Sequence, residues 1–118
     1  MATQQLRTYK CTLVLMLNYV KPGNAWTVDS QLTQADLTLS NVELMRWFNF
    51  KAWGHPDPAP DHGYVPQSRS NSLMCWKKRI SFFMPNKMQP WDHLANRGNP
   101  TRCNAGAIFA KHHFATRI

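Results

Sequence analysis

Between Asp61 and Asp92 the chain has no acidic residue, yet it carries five Lys and Arg there. Acid is scarce overall. Six Asp and Glu stand against fourteen Lys and Arg, for a formal net charge of +8. The scarcity is also uneven. Residues 1–67 hold five bases and five acids, whereas residues 68–118 hold nine bases and one acid, Asp92. An ordinary solvated face mixes both signs. A face short of acid points to a polyanionic partner, most often nucleic acid.

Other absences narrow the function. No apolar run reaches the ~18 residues of a membrane span. The most apolar stretch, "LVLMLNYV" at residues 13–20, follows Arg7 and Lys10 as a leader would. No small-residue cleavage site follows it in "KPGNAW", so it reads as a core helix. No membrane partner is expected. The three cysteines, Cys11, Cys75 and Cys103, are odd in number and form no Cys-x-x-Cys pair. That excludes a zinc ribbon and a disulfide framework, and it suits a nuclear or cytoplasmic protein with reduced thiols. Cys75 stands beside three bases that would lower its pKa, but next to Trp76 it reads as a small core thiol. The histidines offer no His-x-x-x-His pair and no Cys/His spacing for a metal. There is no glycine-rich phosphate loop, and the carboxylates are too scattered for paired acid–base work. No cofactor, metal, small-molecule substrate or enzymatic activity is expected.

What is present reads as helix. A first segment at residues 5–20 places Leu6, Leu13, Met16, Leu17 and Val20 on one stripe, with a strand at residues 11–17 as its competitor. "KPGN" then stops it. A Thr-rich loop follows. Ser40 with Glu43 forms the Ser-x-x-Glu pattern that opens a second helix, "NVELMRWFNFKAW", with Leu44, Trp47, Phe48 and Trp53 inward. Gly54 and Pro56 close it. "GHPDPAPDHGYVPQ" has four prolines in fourteen residues and must be a stiff loop.

A third helix begins at Ser68 or Ser70 as cap and ends at Pro85. Leu73, Trp76, Ile80 and Phe83 make its apolar face. Lys77, Lys78 and Arg79 cannot all share that face, because successive residues are turned by about 100°. The helix is therefore amphipathic, with an aromatic side inward and a basic side outward. Beyond it Trp91 is an anchor, Gly98-Asn99-Pro100 a turn, and Thr101 the cap of a weak fourth helix in the tail. The fold class is mainly α: a small helical bundle with a long Pro-rich loop. Residues 1–102 form the domain, and residues 103–118 a weakly integrated tail.

The pieces "WFNFKAWGHPDPAPD", "RSNSLMCWKKRISFFMPN" and "GNPTR" resemble the N-terminal, DNA-binding region of Crypton-type tyrosine-recombinase-like proteins of oomycetes, diatoms and related protists. The resemblance runs from about residue 44 to residue 102. It implies a core-binding helical module that grips duplex DNA, with Arg69, Lys77, Lys78, Lys87 and Arg102 on or near the DNA side. The charge pattern adds Arg79 and Arg97. After Arg102 the likeness ends, and the family's His-x-x-Arg element and nucleophilic tyrosine have no counterpart. The expectation is a truncated or decayed element that binds duplex DNA without cutting it, alone or beside a full-length recombinase relative. The alternative is a protein-interaction domain or an inert relic without nucleic-acid binding. A single strand stacked on the tryptophans would need those rings exposed, and their helical spacing argues for burial.

Overall fold

A computed structural model describes residues 2–59, 65–92, 94–95 and 97–102. It holds three α-helices, α1 (Thr3–Val20), α2 (Asn41–Trp53) and α3 (Ser70–Phe83), and one 3-10 turn, Pro100–Arg102. Among the described residues there is no strand, only an isolated antiparallel bridge between Asp92 and Arg97. The protein is a small helical bundle, and residues 11–17 belong to α1. The expected tail helix and the boundary at residue 102 concern residues outside those described.

Local chemistry sets the ends of α2. The Ser40 hydroxyl accepts the Glu43 N–H at 3.2 Å, satisfying one orphan donor of the first turn. Gly54 takes φ +80°, and its N–H closes on Phe50 O at 2.8 Å. Two further carbonyls of the last turn are met from outside the helix. Gln67 N–H donates to Ala52 O at 2.8 Å, and the Ser68 hydroxyl donates to Lys51 O at 2.7 Å. This overturns the expected cap of α3. Ser68 is consumed by α2, Ser70 lies inside the first turn, and Arg69 occupies the cap position with no side-chain bond. The unpaired carbonyls of α2 outcompete the start of α3 for the hydroxyl.

The core lies where the three helices meet. Leu13, Met16 and Leu17 of α1 pack with Leu44, Trp47 and Phe48 of α2 and with Leu73 and Ile80 of α3. Trp76 and Phe83 are half-buried against this cluster, on the expected face. Two expectations fail at the margins. Leu6 is 41% exposed, because α1 projects its first turns beyond its neighbours' core. Cys75 is exposed, and so is Cys11. Position 75 is turned about 100° from Trp76, away from the stripe formed by residues 73, 76 and 80.

The Thr-rich connection between α1 and α2 is tied down by α1. Asn18 exchanges two hydrogen bonds with the Trp26 backbone, at 2.9 and 3.0 Å. Lys21 donates to the carbonyls of Asp36 and Thr38 at 3.2 and 3.1 Å. The Asp36 carboxylate accepts the Thr33 N–H at 2.9 Å, and bonding to Thr33 holds it below its usual pKa. A lowered carboxyl pKa stabilises the turn above the unfolded pKa, and the effect is lost as pH falls through the folded one.

Candidate nucleic-acid interface

The segment after α3 is fixed by one buried side chain. Asn99 is 0% exposed, and every polar atom of its amide is used. Its Nδ2 donates to Ser81 Oγ at 2.9 Å and to Lys87 O at 3.0 Å. Its Oδ1 accepts the Thr101 N–H at 3.0 Å and the Thr101 hydroxyl at 2.8 Å. Thr101 is therefore no helix cap. It lies 1% exposed inside the 3-10 turn, with its hydroxyl held by Asn99. Around this pair Asn86 Nδ2 donates to Gly98 O, and Asn99 N–H donates to Gln89 O at 3.1 Å. Trp91 is buried as the expected anchor. The sequence "GNPTR" is thus a clasp that pins residues 86–91 and 97–102 to the C-terminal half of α3.

The clasp creates a groove. Residues 87–88 and 101–102 come to lie beside α3 and the start of α1, bordering an open groove of about 810 Å³. Four bases line it: Lys77 and Lys78 of α3, then Lys87 and Arg102 of the clasp. Its apolar lining is Tyr9, Met74, Phe82 and Met88. No acidic residue is among the described residues that line it. The α3 contribution follows from helix geometry: residues 74, 77, 78, 81 and 82 share a face adjacent to the buried stripe. Arg102 is aimed by its guanidinium, which donates to Met88 O at 2.6 Å. The Lys87 ammonium sits 5.1 Å from the Phe82 ring centre, and Tyr9 meets Phe82 edge-on with centroids 5.7 Å apart.

Compared with known proteins, the chain matches no family model, no curated protein and no solved structure. The functional reading therefore rests on the residues themselves.

Three of the seven expected site residues lie outside the groove's lining. Arg69 is exposed at the start of α3. Arg97 is exposed and bridged to Asp92, lining a separate cleft of about 190 Å³ with Trp91 and Pro100. Arg79 faces α1, where its guanidinium donates to Thr12 Oγ1 at 3.2 Å and lies 5.8 Å from the Tyr9 ring centre. Arg79 therefore joins α1 to α3. We expect Arg79→Ala to lower stability by about 1–2 kcal/mol through lost packing and a lost charged hydrogen bond. Lys78→Ala, at an exposed position, should stay within about 0.5 kcal/mol of wild type. Urea titrations of the two variants check this, and equal losses would contradict the assignment.

The bases of the N-terminal half are engaged by the fold. Arg7 pairs with Asp29 at 3.1 Å, and Arg46 pairs with both carboxylate oxygens of Asp57. Lys10 donates to Ser30 O, and Lys51 lies 5.1 Å from the Trp76 ring centre. Among the described residues no group of three His, Cys, Asp or Glu could hold a metal ion. No described helix is long and apolar enough to cross a membrane. His62, His93, His112 and His113 lie outside the described residues.

Sequence reasoning found the bases but missed the groove. Tyr9 and Gln5 come from α1, some seventy residues away in the chain, and spacing within α3 carries no trace of them. The signal that was available is the alternation of Met74 and Phe82 with lysines on one helical face.

Proposed function

We propose that this protein is a non-catalytic DNA-binding module that grips duplex DNA through the basic groove along α3. The observation that carries the reading is the convergence of Lys77, Lys78, Lys87 and Arg102 on one acid-free groove. Four cations around one concavity raise the local potential and attract phosphate, and contacts of this kind fix a protein on DNA without reading its sequence. The tryptophans supply the packing behind the surface: Trp47, Trp53 and Trp91 are buried, and Trp76 is half-buried. The same proposal takes the chain as akin to the Crypton-type recombinase region, with strand exchange left to a full-length relative and a setting in nucleus or cytoplasm.

One observation favours the second reading, a protein-interaction module: Met74 and Met88 are 49% and 80% exposed in the groove. The test separates the two. Lys77→Ala/Lys78→Ala should weaken binding to any labelled duplex by about 10- to 60-fold near 0.1 M salt and flatten the salt slope by about two units. The fold should survive. A folded double variant that binds duplex as well as wild type would remove the groove from the DNA reading.

A further inference from the structure

The groove has more apolar lining than phosphates alone would use. Phosphate oxygens call for donors and positive charge, which Lys77, Lys78, Lys87 and Arg102 supply. They gain nothing from a phenyl ring. Yet Phe82 is 38% exposed in the middle of these bases, with Met88 exposed beside it and Tyr9 supporting the ring edge-on. The Lys87 ammonium lies over that ring, 5.1 Å from its centre, on a flexible stem that can swing from the ring to the phosphate of a base taking its place.

Resting on the DNA reading above, we propose that the groove seats an unpaired nucleotide, its base against Phe82 and its flanking phosphates on the surrounding bases. Every base has a π-face, so such a seat tolerates any sequence. A paired base inside a duplex cannot present that face to a protein without unstacking. The preferred ligand is therefore duplex DNA interrupted by a short gap, flap or bulge. The other candidate occupants fit less well. Residues 103–118 carry Lys111 and Arg117 and no acid, so charge sets them against the groove. Trp47, Trp53 and Trp91 are buried and Trp76 half-buried, so the stacking role falls to Phe82.

The test compares three labelled probes by fluorescence anisotropy with the full chain: an intact 20-base-pair duplex, the same duplex with a four-nucleotide oligo-dT gap, and an acidic peptide rich in Leu and Phe. The gapped duplex should bind about 5- to 150-fold more tightly than the intact one, the span expected of one stacked base at about 1–3 kcal/mol. Phe82→Ala should erase that preference, so that gapped and intact duplex bind alike, while Phe82→Trp should keep it. Met88→Ser, at a position 80% exposed, supplies a second variant that leaves the packing untouched and should halve the preference or more. Equal wild-type affinity for gapped and intact duplex would overturn the nucleotide seat and leave duplex binding standing. Binding to neither DNA, with capture of the acidic peptide, would overturn both.

Discussion

Gly98→Ala is expected to unfold the clasp and take much of the domain's stability with it. A Cβ at residue 98 would lie 2.3 Å from Pro90 O and 3.1 Å from Trp91 Cα, with backbone atoms that cannot swing aside. Its φ of +110° is also a conformation that L side chains seldom adopt. Strain of this kind costs about 1–3 kcal/mol. Moving residues 90–91 to relieve the clash would disturb the buried Trp91 anchor and the Asn99 N–H bond to Gln89 O beside it, so the total should reach about 3–5 kcal/mol. In a domain stable by about 5–15 kcal/mol that is a large share. The thermal midpoint followed by circular dichroism should fall by roughly 10–25 °C. Gly23→Ala is the control: φ is +98° there, but nothing lies within 4 Å of the added methyl. It should cost only the backbone strain. Equal midpoints for the two variants would show that the close approach of residues 90 and 98 is not what the clasp depends on.

The clasp also marks the limit of what the sequence shows by itself. α2 was legible to the residue because its signals are local: Ser40, Glu43 and Gly54 act within one turn of the positions they control. The buried stripe of α3 was legible for the same reason. Leu73 and Ile80 are fully buried, and Trp76 and Phe83 lean on the same cluster. What failed required knowledge of a distant partner. Ser68 looked like a cap until the carbonyl of Lys51 claimed it. Thr101 looked like a helix start, and only the fold brings Asn99 to Ser81 and Lys87 to make it a clasp residue. Arg79 read as one of three outward bases. Its length lets it lie back over α1 to Thr12, so the basic face of α3 holds two lysines in place of three cations.

The candidate site follows the same division. Composition placed the bases in the C-terminal part of the chain, and helix spacing set Lys77 and Lys78 off the core face. Neither could join them to Lys87 and Arg102, which reach the groove only because the clasp folds residues 86–91 and 97–102 back against α3. The apolar floor depends on α1 meeting α3 near Tyr9 and Phe82.

The second large effect is on DNA affinity itself, and it tests the central claim most directly. If Lys77, Lys78, Lys87 and Arg102 each neutralise a phosphate, each contact releases condensed counterions. The affinity should then fall with a log–log salt slope of about −0.9 per contact, near about −3.6 for the four. Between 50 and 200 mM salt that is a loss of roughly 150-fold, or about 40- to 500-fold for three to five contacts. The decisive measurement is an anisotropy titration of a labelled duplex with wild-type protein at those two salt concentrations. The account predicts tight binding at the lower salt, a loss within that range at the higher one, and the same loss for duplexes of unrelated sequence. No binding at 50 mM salt, or an affinity that does not change between the two conditions, would contradict it.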